Sequence, residues 1–101
     1  MLEKLSLDDK VVVVTGGGTG IGLAMVRHLA RAGAHVSIGG RRSGPIEEAA
    51  AEVKAMGRDA LAISTDVSNS SQVDRLINTT LEHFGHIDVM INNAGAVQDN
   101  V

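Results

Sequence analysis

The sequence predicts an α/β fold built on a doubly wound parallel sheet, and three observations carry that prediction. Short apolar runs alternate with stretches of helical periodicity along the whole chain. The connections between consecutive runs are too long for hairpins, so right-handed crossovers and parallel pairing are expected. The first run, Val11 to Val14, ends in a glycine-rich turn that opens a helix. At such a junction the helix N-terminus presents unpaired backbone N–H groups and the positive end of its dipole to an anion. The predicted element order is βαβαβαβ with strand order 3-2-1-4, the first half of a doubly wound sheet.

Each element follows from local pattern. Val11 to Thr15 is an uninterrupted apolar run of the kind buried on both faces of a parallel sheet. Leu23 to Ala32 reads as a helix, with Ile21, Met25 and Leu29 in i, i+4, i+8 register, Ala24 and Val26 beside them, and Gly33 where a C′ glycine ends it. His35 to Gly39 is the second strand. Ser43 is placed to cap the next helix, with Pro45 tolerated in its first turn. That helix carries Ile46, Ala49, Ala50, Val53 and Met56 on one face, keeps Glu47, Glu48, Glu52 and Lys54 mostly outside, and closes at Gly57. Ala60 to Ser64 is a third strand. Ser68 to Ser71 offers N-cap candidates for a third helix with Val73, Leu76, Ile77, Leu81 and Phe84 at helical spacing and Gly85 at its end. Ile87 to Ile91 is the fourth strand, and Met56 and Met90 both fall in apolar registers that read as core.

Composition excludes several classes of function. At 101 residues and 44% apolar content the chain is one small globular domain. A net charge of −3 with scattered basic residues argues against a nucleic-acid or membrane surface. The absence of cysteine removes disulfides and thiolate metal sites. His28, His35, His83 and His86 form no metal set, since His86 falls beyond the helix-ending Gly85; they read as surface or strand-edge residues. Ser37 and Ser64 lie in strands with no base assigned to either. No apolar run reaches the roughly 20 residues a membrane span needs, and the charged segment Met1 to Lys10 does not read as a signal peptide. The expectation is a soluble, cytoplasmic protein.

Four features carry chemistry. The turn Thr15-Gly16-Gly17-Gly18-Thr19-Gly20-Ile21-Gly22 fits T-G-x-x-x-G-x-G and does not fit G-x-G-x-x-G. Glycine there admits backbone angles closed to other residues and lets a diphosphate approach the main chain. An acidic residue about 20 positions past such a turn accepts from the ribose 2′-OH of NAD. Here the count from Gly20 lands on Gly40, followed by Arg41 and Arg42. Two guanidiniums suit a dianionic 2′-phosphate instead, so NADP(H) is the expected cofactor and NAD(H) the less favoured one. Asp66-Val67 lies at the carboxyl end of the third strand, where a carboxylate is placed either for a nucleotide contact or to cap the third helix. Asn92-Asn93-Ala94-Gly95 follows the fourth strand directly.

Together these motifs, each after the appropriate strand, resemble the short-chain dehydrogenase/reductase family over Leu7 to Gly95. The resemblance implies a Rossmann-type fold and a set of candidate cofactor-binding residues: Gly16, Gly18, Thr19, Gly20, Ile21 and Gly22 in the turn, then Arg41 and Arg42, Asp66 and Val67, and Asn93, Ala94 and Gly95. It implies that Asp66 contacts the adenine amino group while Val67 packs near the ring. T-G-G-G-T-G-I-G with an arginine after the second strand is also similar to the NADPH-dependent enoyl- and dienoyl-CoA reductase branch, and to ketoreductases acting on other carbonyls.

The family's serine, Tyr-x-x-x-Lys pair and helix asparagine lie downstream of N-N-A-G, and this chain contains no tyrosine. No catalytic residue is therefore assigned. The tyrosine would be the proton donor or acceptor, its pKa lowered by the lysine. The chain is expected to be the N-terminal dinucleotide-binding unit, residues 1–101, of a longer, truncated reductase that is inactive alone. Its full-length form would act on a small carbonyl or enoyl substrate and form a homo-oligomer. The alternative is a catalytically inactive nucleotide-binding or partner-pairing module. The near-continuously apolar fourth strand, an edge lacking proline and lysine, fits both.

Overall fold

The computed structural model describes residues 6–94. Seven elements alternate: β1 (Val11–Thr15), α1 (Gly20–Arg31), β2 (His35–Gly40), α2 (Ser43–Ala55), β3 (Ala60–Ser64), α3 (Ser70–Phe84) and β4 (Val89–Asn92). The four strands form one parallel sheet in the order β3-β2-β1-β4. The predicted topology is the observed one. Its Rossmann-like consequence is that the strand order reverses direction at β1, so the crossovers α1 and α2 leave on one side and α3 on the other.

β1 is buried throughout, as its four valines and threonine require. Val12 and Val14 join Val36, Ile38 and Ala60 on the face covered by α1 and α2, where Val26, Ala30, Ile46, Ala49, Ala50 and Val53 complete one core cluster. On the opposite face, three same-side residues of β2 meet three residues of α3 spaced four apart. His35 stacks on the Phe84 ring at 5.7 Å, the Ser37 hydroxyl lies 2.7 Å from that of Thr80, and Leu76 fills the space above Gly39. Two strand residues advance about 6.6 Å and four helical residues about 6 Å, so the two elements stay in step when they run antiparallel. Thr80 donates its own hydroxyl proton to the Leu76 carbonyl, so Ser37 is the donor to Thr80.

Several expectations of detail are corrected. The buried stripe of α1 is Gly22, Val26 and Ala30, with Leu23, Met25 and Leu29 only partly covered; Ile21 is 74% exposed and Ala24 is exposed. In α2 the N-cap position is Arg42 and Ser43 is the first helical residue, with no side-chain cap bond. Met56 lies one residue past α2, and Met90 lies on the edge strand; both are exposed. Glu52 is not simply solvated, for it accepts two hydrogen bonds from Arg27 of α1, at 2.8 and 3.1 Å. In α3 the buried positions are the expected Leu76 and also Thr80, whereas Leu81 is 41% exposed. β2 reaches Gly40, and β4 starts only at Val89, with Asp88 bonded to Val11 of β1 just before it. Its carboxylate accepts the Val11 N–H at 2.8 Å, its own N–H donates to the Val11 carbonyl, and it thereby fixes the register of β4 on β1.

A second polar anchor sits at the amino end of the sheet. The Asp59 N–H donates to His35 Nδ1 at 2.9 Å, and the Asp59 carboxylate lies 2.7 Å from His83 Nε2. The bond from His83, helped by the Ala60 N–H, holds the Asp59 carboxyl below its ordinary value of 3.8. A carboxylate whose pKa is depressed on folding stabilises the native state above the unfolded pKa, and that contribution is lost as pH falls through the folded value. Urea midpoints of the native chain should therefore decline below about pH 4, and Asp59→Asn should flatten that decline. In the core, Leu76→Ala should lower unfolding free energy by about 2–5 kcal/mol, whereas Leu81→Ala on the exposed face should change it by less than about 0.5 kcal/mol. Urea denaturation followed by circular dichroism measures both.

Candidate functional site

The carboxyl ends of β1, β2 and β3 open into one cleft of about 220 Å³, lined by Gly16, Gly18, Thr19, Gly40, Arg41, Arg42, Pro45, Ile46, Thr65, Val67 and Ala94. That volume is below the roughly 300–1,000 Å³ of complete ligand clefts. One wall is the glycine turn. Gly16 has φ of +70° and its N–H donates to the Gly39 carbonyl at 2.7 Å, so the chain turns away from β1 while still tied to β2. Gly22, two residues into α1, stands where a Cβ would lie 1.8 Å from the Gly16 carbonyl oxygen. Only a glycine lets the helix begin so close to the strand it follows.

The helix termini differ in a telling way. α3 is capped by its own Asn69, whose side chain accepts from the N–H groups of Ser71 and Gln72. α1 and α2 both open at the cleft with no side-chain cap bond, from Thr19 or from Arg42, and neither has an acidic residue in its first turn. Two helix N-termini with their first N–H groups uncapped thus meet at one opening, beside two arginines.

The other wall is assembled from strand ends. Thr65 N–H donates to the Gly40 carbonyl at 2.7 Å, extending the β2–β3 ladder past β3. The Ser64 hydroxyl donates to the Arg41 carbonyl, and Arg75 of α3 donates to the Ser64 carbonyl at 2.6 Å. These bonds fix the Arg41 backbone while its side chain stays exposed, with Nη2 3.8 Å from Asp66 Oδ1. Asp66 Oδ1 also accepts from the Ser68 hydroxyl at 2.7 Å and from the Ser68 N–H at 3.0 Å. The Ser68 donors, and then the Arg41 charge, hold the Asp66 carboxyl below its ordinary value. Asp66 shapes the approach to α3, while the cap itself belongs to Asn69.

The segment after β4 is tied back to the turn. The Thr15 hydroxyl donates to Asn92 Oδ1 at 2.8 Å and accepts from the Ala94 N–H at 3.3 Å; Asn93 Nδ2 reaches the Gly16 carbonyl at 3.4 Å. Of the candidate residues, Gly16, Gly18, Thr19, Arg41, Arg42, Val67 and Ala94 line the cleft directly. Gly20, Gly22, Asp66 and Asn93 do not line it: Gly22 and Asn93 pack against the Gly16 carbonyl behind the turn, Gly20 is exposed, and Asp66 lies beside Arg41; Ile21 projects to solvent, and Gly95 lies outside the described residues. Gly40, Pro45, Ile46 and Thr65 line it without belonging to the predicted set. A signal existed for Gly40, on which the count of about 20 positions lands, and for Thr65, which directly precedes Asp66. Pro45 and Ile46 carry a core-helix pattern that says nothing of a site.

Comparisons with known proteins agree with this geometry. The family profile described as short chain dehydrogenase matches residues 10–101. The chain is 39% identical over 92 residues to short chain dehydrogenase claC of Passalora fulva, covering 90% of this chain and 34% of that protein. It is 40% identical over 97 residues to a 3-oxoacyl-(acyl-carrier-protein) reductase of Synechocystis, covering 95% of this chain and 39% of that one. Among solved structures, the 3-ketoacyl-(acyl-carrier-protein) reductase of Brucella melitensis, complexed with NADH, superposes with a TM-score of 0.78 at 35% identity, covering 84% of this chain and 34% of that one. The chain thus spans little more than a third of the length of the relatives it matches.

The turn predicts an order of sensitivities. Gly20→Ala, at φ of +56° in open space, should reduce stability by about 1–2 kcal/mol, the strain of a left-handed residue. Gly22→Ala should reduce it further, because the Gly16 carbonyl must move, and should shift the amide resonances of Gly16 and Asn93. Urea denaturation and amide NMR spectra check the two variants.

Proposed function

Since this chain belongs to the short chain dehydrogenase family, we propose that residues 1–101 are the dinucleotide-binding unit of a longer NADP(H)-dependent oxidoreductase. The observation that carries the reading is the pair of uncapped helix N-termini, α1 and α2, opening beside Arg41 and Arg42 at the carboxyl edge of a parallel sheet. Unsatisfied N–H groups and dipole ends favour anions at both places. The turn Gly16–Gly22 would hold the diphosphate, its helix start drawn close to the strand end because Gly22 carries no Cβ. Arg41 and Arg42 would hold a 2′-phosphate, for which bidentate guanidinium donors are well matched. Asp66, kept ionised, would accept from the adenine amino group, with Val67 against the ring. Asn93, Ala94 and Gly95 would border the path toward the nicotinamide. When bound, the reduced nicotinamide supplies a hydride.

A small carbonyl or enoyl substrate fits this chemistry, and the names of the Synechocystis and Brucella relatives favour a 3-oxoacyl carbonyl. Proton transfer to such a substrate needs a group this tyrosine-free chain does not supply, so the chain by itself binds nucleotide and does not turn over. We place the longer protein in the cytoplasm as a homo-oligomer; among the described residues no helix is long and apolar enough to cross a membrane.

The Brucella relative was crystallised with NADH, so the nucleotide preference of this chain is the quantity to measure. Fluorescence titration of the chain with NADPH and NADH tests it. Native protein should bind NADPH more tightly. Arg41→Ala should weaken NADPH by roughly tenfold or more, the loss of a charge-assisted pair, and NADH by much less. Equal loss for both would remove the case for a 2′-phosphate site.

A further inference from the structure

We propose that Gly18 is a positioning residue for the 2′-phosphate, acting through the first turn of α2; the inference rests on the NADP(H) reading above. Gly18 does not adopt a positive φ, so the backbone itself does not call for glycine there. Its need is spatial. A Cβ on Gly18 would lie 2.9 Å from Pro45 Cβ and 3.1 Å from the Ile46 nitrogen and the Pro45 carbonyl carbon. These are ring and main-chain atoms, which cannot rotate aside as the end of a flexible side chain can. On its other side the same turn is held by Ile46, buried to 2% exposure, whose Cγ2 lies 2.7 Å from where a Cβ on Gly40 would stand. The first turn of α2 is therefore seated in a notch between two glycines from different strand ends.

The consequence falls on the arginines. Arg42 is the N-cap of α2 and Arg41 precedes it directly. A side chain at position 18 displaces Pro45 and Ile46 by tenths of an ångström and carries the α2 N-terminus, and the start of the arginine segment, away from the glycine turn. A Cβ on Gly16 or Gly22 would meet Asn93, Ala94 or the Gly16 carbonyl rather than α2, and one on Gly20 would meet nothing within 4 Å, so the shift of α2 does not reach these three glycines. Gly18 thus adjusts the spacing between two anion seats without belonging to the charge of either.

The test is a set of NADPH and NADH titrations on the native chain, Gly18→Ala, Arg41→Ala and the double variant. In Gly18→Ala, the ratio of NADPH to NADH affinity should fall roughly fivefold to tenfold, as for one weakened charge-assisted bond, on top of any loss common to both nucleotides from the turn that Gly18 shares with the diphosphate seat. By that ratio the double variant should be little worse than Arg41→Ala alone, since both changes act on one interaction. Equal weakening of both nucleotides, as misfolding would also give, overturns the proposal. So does full additivity with Arg41→Ala, or an unchanged NADPH preference in Gly18→Ala. A native chain with no NADPH preference would instead defeat the NADP(H) reading, and this inference with it.

Discussion

The carboxyl edge of this molecule depends on one contact, the approach of α1 to the Gly16 carbonyl at Gly22. A parallel sheet sends every strand into a helix on its face, and each strand–helix junction must reverse the chain in a few residues. At β1 the reversal is completed within the turn from Gly16 to Thr19, because Gly16 takes a left-handed backbone and Gly22 lacks the atom that would keep the helix at a distance. The helix then begins directly over the strand end. Its first N–H groups face the cleft, and its buried stripe follows from that starting point.

The rest of the fold holds this junction in place. β1 is central, paired to β2 on one side and β4 on the other, and both neighbours are tied to the turn. The Gly39 carbonyl receives the Gly16 N–H, the Gly16 carbonyl accepts from Asn93, and the Thr15 hydroxyl accepts from the Ala94 N–H and donates to Asn92. Asp88 fixes β4 at its opposite end through the backbone of Val11. On the far face, α3 keeps step with β2 through Leu76, Thr80 and Phe84, and small Gly39 makes room for the leucine. Stability and cleft geometry are therefore carried by the same strands.

Charge is arranged more sparsely. The cleft rim has Arg41 beside Asp66, and Asp66 is already engaged by Ser68. Exposed pairs at such a distance contribute little to stability. What the pair does is place a guanidinium, whose backbone is fixed by Ser64, near the opening of two uncapped helices. A family member in which the same strand ends carry an acid in place of Arg41 would present the opposite field to the same nucleotide position.

By itself the sequence determined the alternation of strands and helices, the parallel topology and the location of the glycine turn. These rest on local periodicity and on backbone angles, which neighbouring residues dictate. Helix ends at Gly33, Gly57 and Gly85 were legible for the same reason, each having positive φ. The tertiary structure alone decided which stripe of α1 is buried. Ile21–Met25–Leu29 and Gly22–Val26–Ala30 both repeat every four residues and differ by a rotation of about 100°. Contact between Gly22 and the Gly16 carbonyl selects the second and leaves Ile21 at the surface. Likewise Met56 and Met90 have core-like spacing but sit past a helix end and on a sheet edge, where they stay partly exposed among the described residues. Pro45 and Ile46 enter the cleft wall only because α2 packs back against the turn, a contact between segments far apart in the chain that no local pattern can encode.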